Sequence, residues 1–158
     1  MILRWSTVAR CRRIAKAEDG AAAVEMAVSI TALLMVIVGM MKMCLAIYCY
    51  HYTSEAAREG ARWAIVRGSS SGNETTADGV STYVKALGYP ALLPANMTVT
   101  VTWAGFPTGV ACTPNTNPCD NPGNMVTVTV QYAFPLSIPF RSTRTLNMSS
   151  TSSAIIAQ

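Results

Sequence analysis

At 158 residues the chain has room for one small domain and an appendage to it. Hydrophobic residues make up 51% and charged residues only 13%, against about a quarter charged in an average soluble chain, so some of this protein is not built for water. The formal charge of +4 speaks against a nucleic-acid partner once its placement is read: Arg4, Arg10, Arg12, Arg13 and Lys16 against Glu18 and Asp19 put +3 into the first 20 residues, which leaves +1 for the rest and no basic patch on the folded part.

Residues 1–20 therefore read as a basic leader. From Ala21 to Tyr52 the chain is almost wholly apolar, interrupted by Glu25, Lys42 and His51. A membrane-spanning helix needs about 20 apolar residues, so this run suffices, and the absence of Pro from Ile14 through Tyr89 favours helix over strand. Helical spacing continues through TSEAAREGARWAIVRG, with Glu55 and Glu59 three or four residues from Arg58 or Arg62. A helix from Ala21 to Val66 would be about 69 Å long and would stand clear of a bilayer. Ala56, Gly60 and Ala64 form a small-residue stripe that suits either a close helix–helix approach or packing beneath the chain's own head. Lys42 reads as snorkelling to the far membrane face, and His51 with Tyr48, Tyr50 and Tyr52 as an interfacial belt.

Gly68 followed by SSSGN predicts the end of the helix by the C′ glycine rule and a flexible joint there. Thr75, Thr76 or Asp78 can cap a short helix with Val80, Tyr83, Val84 and Leu87 on one face, stopped by Gly88 and Pro90. The period then changes to two. Met97, Val99, Val101 and Trp103 alternate with threonines, as do Val126, Val128, Val130 and Tyr132 with Thr127, Thr129 and Gln131, which predicts two half-buried strands. Leu146 to Ile156 predicts a weaker third strand that helps to bury one face, since a two-stranded ribbon is marginal. Between the first two strands lies a Pro/Asn-rich loop with Cys112 and Cys119, which suit a local disulfide in an oxidising compartment or else remain as two loop thiols. Their spacing is not that of a zinc site, and no metal or other cofactor is expected. Asn73, Asn96 and Asn147 head N-x-S/T triplets, which arise by chance in a Ser/Thr-rich chain and receive no function.

All five basic leader residues precede the apolar run, so the leader is expected in the cytoplasm and the C-terminal part outside the cytoplasmic membrane. A conventional signal peptide would have a shorter apolar stretch and a small-x-small site after it, and Cys44-Leu45-Ala46 is a poor one. What remains is a processing site before the run. The stretch EDG/AAAVEMAVSI resembles a type IV prepilin site, and its GAAAVEMA start together with AAREGAR at Ala56 to Arg62 resembles the TadE-like family of the tight-adherence pilus system. The resemblance implies cleavage by prepilin peptidase between Gly20 and Ala21, after which Glu25 is the fifth residue of the mature chain and serves assembly by meeting the α-amine of Ala21 in the same or a neighbouring subunit. Met26 departs from the Glu-Tyr pair of that system's small major pilins, which points to a minor pilin or pseudopilin.

No catalytic constellation is visible: His51 is the only histidine and sits beside the apolar run, and no phosphate-binding glycine loop is present. The expected fold is α+β, a long N-terminal transmembrane helix followed by a head with a short helix and a three-stranded antiparallel sheet. Its expected division is a leader at 1–20, the extended helix at 21–67 and an extracytoplasmic head at 68–158. The expected function is non-enzymatic, a processed subunit in a homo- or hetero-oligomeric fibre or related secretion apparatus. Its expected partners are other pilins and pseudopilins, the peptidase, the inner-membrane assembly platform and lipid. The rival reading is an uncleaved, signal-anchored binding protein of the extracytoplasmic space.

Overall fold

In a computed structural model, residues 5–90, 92–106, 119–137 and 142–157 are described, with side chains from Gly20 onward. The elements run α1 (Trp5–Ile65), α2 (Ala77–Ala86), a 3-10 turn (Pro94–Asn96), β1 (Met97–Ala104), β2 (Met125–Leu136) and β3 (Arg144–Ile155). Packing divides the chain into two compact units, Met1–Lys42 and Met43–Gln158. The α+β class expected from the two periodicities is what forms.

The three strands make one antiparallel sheet in the order β1-β2-β3. Period two fixes the register. Val99 faces Val130, Val101 faces Val128 and Trp103 faces Val126, so apolar side chains collect on one side. On β3 the residues opposite Val130, Val128 and Val126 are Ser150, Ser152 and Ala154, and this thin row leaves β3 half-buried while the central valines are fully buried. On the outer side the threonines and serines pair across strands, Thr127 with Ser153 at 2.9 Å and Thr129 with Thr151 at 3.0 Å between hydroxyl oxygens.

The sheet's inner face and α2 bury a small-residue face of α1. Cys49, Thr53, Ala56, Ala57, Gly60, Ala61 and Ala64 recur at three- and four-residue intervals and are all buried. At Gly60 a methyl group would stand 2.7 Å from Val84 Cγ2 and 3.2 Å from Val128 Cγ1. The Ala56-Gly60-Ala64 stripe, open from sequence between two uses, is thus occupied by this chain's own head. Thr53 escapes being an unpaired buried hydroxyl by donating to the Cys49 carbonyl at 2.8 Å.

Helix α2 begins as its sequence predicts: Thr76 is the N-cap, its hydroxyl accepting from the Gly79 N–H, and Val80 and Val84 are buried. Gly88 takes φ +64°, a left-handed conformation that ends the helix before Pro90. Two expectations around Gly68 need correction. Helix α1 stops at Ile65, and Gly68 is not among the glycines with positive φ. The following segment is no free joint either. The Ser69 N–H donates to the Asp120 carbonyl at 3.1 Å, its hydroxyl pairs with Asn121 Oδ1 at 2.6 Å, and the Thr75 N–H donates to the Arg67 carbonyl at 3.1 Å. The chain's end contributes to the same corner: the Ala157 N–H donates to the Ile65 carbonyl at 3.1 Å, satisfying a helix-terminal acceptor.

Alanine at Gly60 gains up to about 1 kcal/mol of helix propensity but forces a methyl onto buried valines, and overpacking costs about 1–3 kcal/mol. Gly60→Ala is expected to destabilise the full chain by about 1 kcal/mol net in urea unfolding followed by near-UV circular dichroism. Combining it with Val84→Ala, which vacates the contested space, should cost less than the two changes summed; strict additivity would show that the contact is not tight.

Candidate processing and assembly segment

The predicted site residues Gly20, Ala21 and Glu25 all lie within α1, one turn apart, and all are exposed. Ala21 and Glu25 are four residues apart, so they share a helix face at neighbouring levels. Glu25 is the one ionisable residue between Ala21 and Lys42. Around it the surface is apolar on every side: Val24, Met26, Val28, Leu33, Leu34, Val36, Met40 and Met41 are each more than half exposed. Thr31 keeps its hydroxyl satisfied by donating to the Ala27 carbonyl at 2.7 Å. A helix apolar all round and uncovered by its own chain has the surface of a membrane span or of a helix packed among other helices. Among the described residues it is the one helix long and apolar enough to cross a membrane, and it can act as a single-pass anchor.

Because α1 begins at Trp5, the Gly20–Ala21 bond lies inside helical backbone. Nothing within 4 Å would oppose a methyl at Gly20, so no packing constraint of this chain requires glycine there. A peptidase would need that turn unwound, and glycine is the residue that most weakens a helix interior.

The expected disulfide falls partly outside the described residues, because Cys112 is not among them; Cys119 is half-buried. Cys44 is exposed and Cys49 buried on the small-residue face, and both are free thiols. Tyr48, Tyr50 and His51 are exposed, and Tyr52 joins them to the head, its ring 4.5 Å from that of Tyr48, 5.7 Å from that of His51 and 5.3 Å from that of Tyr89.

Sequence reasoning missed a second ring cluster that closes the other side of the small-residue face. Trp63 stacks on Tyr83 with centroids 4.8 Å apart and planes 14° apart, and the Arg67 guanidinium lies 4.2 Å over the Trp63 ring. The Tyr83 hydroxyl donates to Glu59 Oε1 at 3.3 Å. The expected Glu–Arg pairs form at 3.1 Å for Glu55–Arg58 and 4.0 Å for Glu59–Arg62, exposed and so of little weight. Among the described residues no group of three or more His, Cys, Asp or Glu side chains could hold a metal.

Burial raises the Tyr83 phenol above its ordinary 10.0, with the Glu59 charge and hydrogen bond adding to it and Arg67 opposing; burial likewise raises Tyr89, with Glu59 and Glu55 adding. A phenol raised on folding favours its neutral form in the native state. Its contribution is therefore intact below pH 10 and is lost as pH climbs through the raised folded values. The thermal midpoint is expected to hold up to about pH 10 and fall above it. In an absorbance titration of tyrosinate, Glu59→Gln should bring the latest-titrating phenols down; an unmoved titration would separate Glu59 from both rings.

The sequence model of the family described as TadE-like protein matches residues 20–62. No curated protein and no solved structure matches the chain significantly. The match begins at Gly20, takes in Glu25 and the apolar helix, and ends beside Trp63, within the small-residue face. This family is a structural, non-enzymatic kind of protein associated with the tight-adherence pilus. The resemblance carried by GAAAVEMA and AAREGAR thus extends over residues 20–62, where the chain is similar to TadE-like proteins.

Proposed function

We propose that this protein is a minor pilin or pseudopilin of a tight-adherence pilus or related secretion apparatus, cut by prepilin peptidase between Gly20 and Ala21 and assembled through Glu25. The observation that carries the reading is the Ala21–Glu25 spacing. Cleavage creates an α-amine one helical turn from the sole acid of the apolar run, on the same face, inside a segment of the TadE-like kind. A carboxylate deep in a bilayer costs a few kcal/mol, so its presence there calls for a partner. The amine of Ala21 is such a partner, within one subunit or between neighbours.

The basic leader keeps residues 1–20 on the cytoplasmic side, the helix at 21–67 anchors the subunit in the inner membrane, and the head at 68–158 lies outside. Partners are other pilins and pseudopilins, the peptidase, the assembly platform and membrane lipid. Lys42, about 25 Å along the helix from Glu25, reaches the opposite interface. An oxidising exterior suits a Cys112–Cys119 disulfide. The rival reading, an uncleaved signal anchor, draws on the unbroken helix across Gly20.

Intact-mass measurement of the native protein separates the two, with an N-terminus at Ala21 for the pilin and at Met1 for the anchor. Gly20→Leu is expected to retain the leader. Glu25→Ala is expected to be cleaved normally yet to abolish incorporation into surface fibres, read by immunoblot of sheared material; wild-type incorporation of that variant would overturn the assembly role.

A further inference from the structure

On the outer face of the sheet two hydroxyl pairs bridge β2 and β3. Across β2 and β3, Thr127 pairs with Ser153 and Thr129 with Thr151, but the next row places the carboxamide of Gln131 between Thr98 and Ser149. Beyond it Asn147 faces Ala133 across β2 and β3, and Asn96 closes the β1 side from the end of the 3-10 turn. These six residues, with Tyr132 and Met148, line a depression of about 290 Å³. The five polar side chains of the six are not bonded to one another, as the Thr127–Ser153 and Thr129–Thr151 pairs beside them are. Two N-x-S/T triplets meet here, Asn96-Met97-Thr98 and Asn147-Met148-Ser149. Strand alternation puts Thr98, Asn147 and Ser149 on the outer face and sends Met97 and Met148, each 6% exposed, into the core, while Asn96 ends the 3-10 turn that leads into β1.

We propose that this depression is a binding site for a neutral saccharide, one pyranose ring in size. The lining has no carboxylate, ammonium, guanidinium or imidazole that would recruit an anion or a cation. It offers three carboxamides and two hydroxyls, each able to donate and to accept, around the methyl of Ala133. Vicinal sugar hydroxyls also donate and accept, and a ring's C–H face suits the methyl floor. An added peptide strand is disfavoured by the position. Gln131 already pairs with both Thr98 and Ser149, so the ligand meets side chains and not a free backbone edge. The volume lies at the small end for ligand pockets, which limits the ligand to one ring.

The site requires neither cleavage at Gly20 nor assembly through Glu25, and Glu25→Ala should leave it unchanged. The test uses the full labelled chain in a phosphocholine detergent, which carries no sugar headgroup, and follows the side-chain amide resonances of Asn96, Gln131 and Asn147. The probes are methyl α-D-glucopyranoside, methyl β-D-galactopyranoside, N-acetyl-D-glucosamine and D-glucuronate. The expected result is a saturable shift of those amides by at least one neutral sugar, with glucuronate at least tenfold weaker. Gln131→Leu and Asn147→Ala should each weaken binding tenfold or more, while Thr127→Ala leaves it intact. The proposal is overturned if no neutral sugar gives a saturable shift, if glucuronate binds equally well, or if the shifts survive both substitutions.

Discussion

The head is organised by how close α1 comes to it at Gly60. A single methyl there would already meet Val84 and Val128, so the whole buried face of the helix has to be small, from Cys49 through Ala64. The bulk that fills the core comes from the other side: Val80 and Val84 on α2, and Val126, Val128 and Val130 on β2. Branched side chains with few rotamers fit against a flat helix surface with little entropy left to lose. The flanks of the narrow seam are then closed by rings, Tyr52 against Tyr89 and Trp63 against Tyr83. Flat rings are suited to that position because they cover area without pushing the backbones apart.

The same close approach explains the uneven sheet. A helix packed over the middle of three strands buries the inner face of β2 fully and most of that of its neighbours by half, which is the pattern of β1 and β3. Ser150, Ser152 and Ala154 are tolerated on the inner side of β3 because little volume is needed at that margin. On the outer side threonine and serine supply both strand propensity and their own cross-strand hydrogen bonds, so the sheet needs no charged cover.

The strands were legible in the sequence because strand alternation is local and each threonine marks the outer face. Thr76, Gly88 and Pro90 were legible because caps and stops act over three or four residues. The end of α1 was legible to within one residue of Val66, but the device was not: Gly68 lacks the positive φ of a C′ glycine, and contacts made far along the chain hold the corner, with Ser69 bound to the Asp120 segment and Ile65 to Ala157. The small-residue stripe was visible, yet which partner it meets depends on where Val84 and Val128 arrive. The placing of Gly20, Ala21 and Glu25 on one helix was legible because helical spacing is local, while the processing and assembly roles given to them are proposals. The Asn96–Gln131–Asn147 cluster was not, since it exists only once three registers are set.

The two stretches of α1 obey opposite rules about side-chain size, and this bears on what Glu25 can do. Between Cys49 and Ala64 the buried face is small because its partner is already present in the chain. Between Val24 and Met41 the exposed side chains are large and apolar around the helix, and lipid or other helices must supply their contacts. In such surroundings a carboxylate is tolerable near the polar boundary and increasingly unfavourable as the helix is drawn deeper or packed among apolar neighbours. Under the proposed processing, removal of residues 1–20 takes away five basic side chains and leaves a single cation, the amine at Ala21, at the level of Glu25. The acid then changes from a group best kept in water to one half of a pair that can enter a bundle. Cleavage and assembly become linked through that one charge, with no further contact required between the peptidase site and the head.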